Sequence, residues 1–589
     1  MRRAVRDYTK ISRVRWTALL AAAFTFSSIA AAQPTGDRAP QGTTHEAASA
    51  PAIADAGAGA TTAPSPDAGP KPAASDQGDD EVVDLSGETD LVGPTDAGPS
   101  LPAKPAEPPP PPDKFEFRGF ARVTGAAGLA PPAADPPGSA PQERVPYDRA
   151  FTEQHLYVDL RYARAKWFQA VASASLSFAA FYQENRPSSG AAGTSFAPQA
   201  FEATPREAYV AFTTGPLDLR LGQQRIVWGN SDFFTPNDIL NGRDLRNPNV
   251  FDPEMLALPS PALRADVDLQ LAVLSLVVEP FNVIDRIDLY GTNWALVQPD
   301  APRSLRRLFG TLAQGQDRVS VAALQDAMTG GQLAPANVSN GSIGGSLRYK
   351  IGGLDVSHYF LSGFDRTPAV FIDPAFQAQL ETLNADQLNG AVFEAVQNQA
   401  RAANNAFGGP ILVSFRRRAH VGMDAQTTVG PFVIRADAAY DSAKTFFTKA
   451  SMNSIIRPAL QEVVGIEYQT GSFDKVIGVE GWAMQLVGPP VLYVPSVTLQ
   501  PSGDLLFYRE QSFAAAAVAR WLFLEHFIVD ARSQVGVVPF SFLARVEGGW
   551  QTPGATVRLG AMGLGGEAGS LGSYFRRNTT VYATTRISF

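Results

Sequence analysis

The chain of 589 residues has no cysteine, only five histidines and a low share of charge, 18% for Asp, Glu, Lys and Arg together. Without cysteine there is no disulfide framework and no thiolate metal site. The histidines, His45, His155, His358, His420 and His526, are far apart and lack metal-ligand spacing. No G-x-S-x-G elbow and no P-loop occurs, so neither acyl transfer nor nucleotide hydrolysis has its usual machinery, and no enzyme, metal or cofactor is expected. The run Gly563-Leu564-Gly565-Gly566 reads as a loop entry rather than a phosphate cradle. An isoelectric point near 5.4 lacks the basic face of a nucleic-acid binder. Long apolar runs are scarce as well. Leu271 to Val278 is far below the ~20 residues of a spanning helix, and Ala514 to Val529 is interrupted by Arg520 and Glu525.

The formal net charge of -8 belongs to no single object. Residues 1–32 carry +5: Arg2, Arg3, Arg6, Lys10, Arg13 and Arg15 precede an apolar stretch from Trp16 that ends Ala30-Ala31-Ala32. A basic region, an apolar core and an A-x-A site describe a secretory signal peptide. Residues 33–113, rich in Pro, Ala, Gly and Asp, carry -11 and close on Pro108 to Pro112. Such a segment buries too little to offset its ordering entropy, and is expected to be a disordered tether on the periplasmic side. Residues 114–589 are left with about -2.

In that third segment the dominant pattern is strict alternation, which denotes strand rather than helix. Phe115, Phe117, Ala121 and Val123 share one face, opposite Glu116, Arg118, Arg122 and Thr124. Leu263, Ala265, Val267 and Leu269 likewise oppose Arg264, Asp266, Asp268 and Gln270. Each run has the length of a tilted transmembrane strand, and tight turns alternate with long connections, as in barrels with short periplasmic turns and long outer loops. The tight ones include Thr214-Gly215-Pro216, Ile351-Gly352-Gly353, Val429-Gly430-Pro431 and Thr552-Pro553-Gly554. The fold class expected is therefore all-β: a transmembrane antiparallel β-barrel of about 18 strands, with 16 as the alternative. The last residue, Phe589, closes an alternating strand of the kind read by the barrel assembly machinery. Outer-membrane lipid and lipopolysaccharide would surround such a barrel, in the cell outer membrane of a Gram-negative organism.

The stretch Leu219-Arg220-Leu221-Gly222-Gln223-Gln224-Arg225-Ile226-Val227-Trp228-Gly229 is followed by Asn237-Asp238-Ile239-Leu240-Asn241 and Asp244-Leu245-Arg246. With Gly363-Phe364-Asp365-Arg366-Thr367-Pro368 and Gly430-Pro431-Phe432, it resembles a widespread group of proteobacterial porin-like outer-membrane proteins, in a loose way those of the alginate-export type. The resemblance implies a barrel in the outer membrane and leaves the substrate open.

Position on the strands assigns the pore wall. Arg118, Arg122 and Arg161 face inward on the first strands, and Arg220, Arg264, Asp266 and Asp268 on the next group. Arg416, Arg418, His420, Asp424, Arg435 and Asp437 follow, and Asp530 with Arg532 lie further on. Charge ladders of this kind set selectivity in a pore. Several are i, i+2 pairs, so mutual pairing along the wall is the plainer reading, and His420 beside Asp424 is read as polar wall rather than a hydrolase site. Where alternation breaks at Gln223-Gln224-Arg225, Arg225, Trp228 and Asp232 are expected to fix a loop at the channel mouth. Helix signals are read at Ser320 to Gly330, at Asp373-Pro374, and from Ala385 to Asn404 with Leu388, Val392, Phe393 and Val396 on one face. One such loop is expected to fold into the lumen as a gate, in which case deleting 376–404 raises conductance. The function expected is a channel for small polar or anionic solutes. The alternative is a non-conducting adhesin or scaffold acting through its loops or tether.

Overall fold

The computed structural model describes residues 113–130, 139–140, 143–164, 167–185, 194–198, 201–246, 255–315, 318–320, 341–384, 387–392, 394–395, 411–470, 475–488 and 505–589. The signal-peptide and tether assignments lie outside them, as do the helix body after Ser320 and the positions Phe393 and Val396.

Eighteen antiparallel strands form one closed wall. They are β1 Asp113–Gly128, β2 Tyr147–Arg164, β3 Phe168–Glu184, β4 Glu202–Thr214, β5 Leu217–Gln224 and β6 Ser260–Asp268. Next come β7 Ala272–Glu279, β8 Ser342–Ile351, β9 Leu354–Phe364, β10 Arg417–Val429, β11 Phe432–Phe447 and β12 Ser454–Gln469. The last are β13 Lys475–Leu486, β14 Gln511–Phe523, β15 Phe527–Val538, β16 Ser541–Gln551, β17 Ala555–Gly566 and β18 Thr580–Ser588. Each pairs with its neighbours in the chain, and β1 pairs with β18 from Phe120↔Ser588 to Gly128↔Thr580. Closure leaves no edge to satisfy, which is the condition for strands to cross a bilayer.

The period-2 pattern is the reason for this wall. On β1, Phe115 and Phe117 point outward at 67% and 53% exposure, whereas Arg122 and Thr124 point inward and are buried. The same outward band recurs in Leu221, Ile343, Phe360, Val421, Trp521 and Leu559. Apolar side chains exposed all round a closed wall are explained by lipid, at roughly 25 cal/mol per Å² that they would otherwise cost in water. Rings gather at the tight-turn end: Trp167 packs 5.6 Å from Phe168, and Phe432 5.5 Å from Tyr468. This is the interfacial aromatic girdle. Phe589 completes the seam. It exchanges backbone bonds with Gly119 at 2.9 Å in both directions and stacks on Phe117 at 5.6 Å. A Cβ at position 119 would stand 2.7 Å from the Phe589 ring, so the seam requires glycine there.

The four tight turns named above fall where expected, and another lies at Gln270 (φ 67°). The other end is less uniform than the sequence suggests: only two residues, 539–540, join β15 to β16, and six join β11 to β12. Described parts of five outer connections, those after β1, β7, β9, β13 and β17, pack on one another in what we term the cap. Helix α1 (Arg303–Leu312) and helix α2 (Pro374–Thr382) sit in an apolar core with Val145, Tyr290, Val370, Leu506 and Phe575. Helix α2 starts as its sequence predicts, with the Asp373 carboxylate accepting from the Ala375 N–H at 2.9 Å and Pro374 in the first turn. Leu380, Leu388 and Val392 turn into this core, which also takes in Met562 and Leu564 on the inner face of β17. Ser320 ends a short strand, Val319–Ser320, paired with Asp288–Tyr290. The unforeseen helix is α1, whose arginines hide its apolar face from a sequence reading. Arg303 and Arg307 bind Glu143 at 2.9 and 2.7 Å, holding its carboxyl below the usual range against the opposing effect of burial. Arg307 also donates to the carbonyls of Leu380 and Leu383 at 2.7 Å, satisfying the end of α2.

One carboxyl in the cap runs the other way. Burial raises Asp288 to about 6, opposed by Arg318 at 3.6 Å. The folded cap therefore holds a proton that the unfolded chain has released, and its stability falls as pH rises from 4 to 6. Going from pH 7 to pH 5 should stabilise the cap by about 1 kcal/mol, read by denaturant titration of tryptophan fluorescence. Asp288→Asn should reduce that dependence; an unchanged slope would refute it.

Candidate functional site: a loop latched across the lumen

The connection from β5 to β6 leaves the wall where alternation fails. The Gln224 amide donates to the Ala262 carbonyl at 2.9 Å, ending β5, and the chain turns inward. Asn241 closes the neck of this excursion: it accepts from the Ile226 N–H at 3.2 Å and donates to the Ile226 carbonyl at 2.7 Å. Between those residues the loop is bound by β9, β10, β11 and β13, four to eight strands round an eighteen-strand wall from β5.

Trp228 stacks on Tyr359 of β9 with centroids 5.2 Å apart, and the Gly229 N–H donates to the Tyr359 hydroxyl at 3.1 Å. Five consecutive backbone N–H groups then meet two carboxylates. Those of Asn230 and Ser231 donate to Asp437 at 3.5 and 3.0 Å. Those of Asp232, Phe233 and Phe234 donate to Glu480 at 2.7, 3.0 and 3.4 Å. The Asn230 amide donates to Asp424 at 2.8 Å, Asp232 pairs with Arg435, and Phe234 stacks on Trp482 at 5.6 Å.

The return arm seats on β10. Asn237 donates through its Nδ2 to the Met423 carbonyl at 3.2 Å, and its Oδ1 faces His420 Nε2 at 3.3 Å. His420 Nδ1 meets Asp441 at 2.9 Å, where Arg418 also binds at 2.9 Å. A Cβ on Gly422 would collide with Asn237 Oδ1, so this seat exists only because residue 422 is glycine. Arg366 fixes the base. It donates to the carbonyls of Ile239 and Leu240 at 3.3 and 2.8 Å, to Asn282 at 3.0 Å and to Glu279 at 2.5 Å. Asp285, lifted above the usual carboxylate range by burial, accepts from the Arg243 N–H at 2.8 Å and the Thr367 hydroxyl at 2.9 Å. The two motif segments read separately in the sequence thus clamp each other.

The residues assigned to the wall fall into three groups. Arg418, His420, Asp424, Arg435 and Asp437 face inward, buried, and bind the loop or its supports. Arg118, Arg161, Arg220 and Arg264 face inward beside acids: Glu116 at 2.7 Å, and Asp159, Asp218 and Asp266 each at 2.8 Å. Arg122 lies 3.4 Å from Glu153, and Asp530 is surrounded by Arg520, Arg532 and Arg545. Asp268 accepts from the Gln270 N–H at 2.7 Å, in the tight turn. The Arg416 carbonyl accepts from the Asp365 N–H at 2.8 Å, at the head of β10. Of the loop residues, Trp228 and Asp232 lie against the inner wall, and the Arg225 N–H donates to Glu207 at 3.0 Å beside the neck. Glu480 and Tyr359 are not singled out by the sequence, and Asn237 and Asn241 figure there only as ends of a motif segment. Glu480 sits at an inward position of its strand, which alternation shows, but nothing local announces its partners.

The chain belongs to the family described as protein of unknown function DUF1302, whose model matches residues 162–463 and so spans both motif segments. The alginate-export type is not the family that matches. No curated protein matches the sequence. Solved structures similar to it include OccAB1 of Acinetobacter baumannii, 9% identical over 81% of this chain and 96% of that one, with a TM-score of 0.40. OccK7 (OpdD) of Pseudomonas aeruginosa is 8% identical over 81% and 99%, with a TM-score of 0.37. The outer membrane channel DcaP of Acinetobacter baumannii is 9% identical over 81% and 97%, with a TM-score of 0.34.

Proposed function

We propose that this protein is an outer-membrane channel for small polar or anionic solutes, narrowed by the loop from Ile226 to Asn241. The observation that carries this reading is the latch. Backbone N–H groups of the loop are held by Asp437 and Glu480, six and eight strands round the wall from β5, which fixes a constriction inside a charged lumen. A barrel of this strand number encloses water, and a fixed inner loop converts that space into a selective passage. The signal peptide delivers the chain, the tight turns face the periplasm, and the cap faces outward.

The apolar core of the cap favours the second reading, a closed barrel acting through its surface. Recording from the purified full chain in planar bilayers separates the two. Discrete conductance steps are expected, with liposome swelling by sugars, organic acids and amino acids ranking the solutes. A correctly folded barrel that never conducts would leave the adhesin or scaffold reading.

A further inference from the structure

The wall that the loop does not cover is unevenly charged. β4 to β6 carry three arginines and five acids, among them Arg220 2.8 Å from Asp218 and Arg264 2.8 Å from Asp266. On β14 to β17 the count is four to two. Arg520, Arg532 and Arg545 stand 3.1, 2.9 and 3.7 Å from Asp530, and Arg558 stands 2.5 Å from Glu547. Glu547 also accepts from the Tyr582 hydroxyl at 2.9 Å. The acids lie underneath, at 0% and 3% exposure, while Arg520, Arg532 and Arg558 remain 20–29% exposed toward the lumen. Next in line is Arg586 of β18, which lies 4.0 Å over the Phe120 ring.

A network serving only to staple the wall would balance its charges, since each surplus guanidinium repels its neighbours at low dielectric. Here three positive charges are left over on five adjacent strands. Arg520 meets Asp530 through Nε alone, so its terminal N–H groups are not spent on that carboxylate. Arginine forks held on a buried acid base, with spare donors turned to water, match the geometry of a carboxylate or phosphate group.

We propose that Arg520, Arg532, Arg558 and Arg586 form a binding site for an oxyanion-bearing solute, with Asp530 and Glu547 as the scaffold that orients them. The proposal deepens the channel reading, on which its meaning for transport rests. The test is built to separate them. Purified full chain in detergent at low ionic strength is titrated with citrate and with inorganic phosphate by calorimetry, and the same protein is recorded in bilayers under a potassium chloride gradient.

Binding of at least one probe is expected, with a reversal potential favouring chloride. Arg586→Gln leaves every described ion pair in place and should weaken that binding about tenfold, as should Arg520→Gln with Arg558→Gln. Citrate alone binding assigns the site to carboxylates, phosphate alone to phosphates, and both to the shared oxyanion chemistry. No binding, or binding unchanged in Arg586→Gln, overturns the site. Conductance without that binding keeps the channel and loses the site. Binding without conductance keeps the site and loses the channel.

Discussion

Arg366→Met is expected to lower the stability of the barrel by about 3–5 kcal/mol, the usual cost of leaving one member of a buried ion pair alone. The partner left behind is Glu279, fully buried at the end of β7, and the side chain removed is itself 5% exposed. Its donors reach the loop base at Ile239 and Leu240 and the next connection at Asn282. Three stretches of chain therefore lose their junction at once. The loss should appear as an earlier heat- or urea-induced shift from the compact to the extended gel form, and as protease cleavage within 226–241. Replacing both charges, Glu279→Gln with Arg366→Met, should recover a large part of the stability, since the uncompensated carboxylate is gone. Cleavage of the loop should persist in the double variant, because the bonds to the Ile239 and Leu240 carbonyls stay lost. A single variant as stable as the parent would show that the clamp carries no weight.

The strand pattern was legible because lipid and lumen demand opposite side chains at every second residue. Phe115 and Phe117 on one side and Arg118 and Arg122 on the other suffice to orient β1. The tight turns were legible for a local reason too, in residues such as Gly215, Gly352 and Gly430 with their positive φ. The latch was not. Asp437 and Glu480 look like any inward polar positions, and their partners are backbone N–H groups more than 200 residues earlier, which carry no side-chain signature. Alternation did mark the point of departure, since it breaks at Gln224 where β5 ends. It could not give the destination. The helices mislead for the same reason: an apolar stripe such as Leu388 and Val392 needs cover, and the sequence does not say whether the lumen or a neighbouring loop supplies it.

Glu480→Ala is expected to release the tip of the loop and raise single-channel conductance with increased open-channel noise. Glu480 accepts three successive backbone N–H groups, at 2.7, 3.0 and 3.4 Å, and lies 3.6 Å from Arg435. Bonds to a charged acceptor contribute about 1.5–3 kcal/mol each, so the docked state should lose well over tenfold in population. Arg435 keeps Glu467 as a partner on the wall, which limits damage to the wall itself. Gly422→Ala reaches the same end by a different cause. Its methyl group takes the place of Asn237 Oδ1, unseating the return arm without removing a charge. Agreement between the two variants would identify loop position, rather than lost charge, as the origin of the larger current. If Glu480→Ala alone alters conductance, the carboxylate acts on the permeating ions directly. If neither does, the passage lies elsewhere in the lumen.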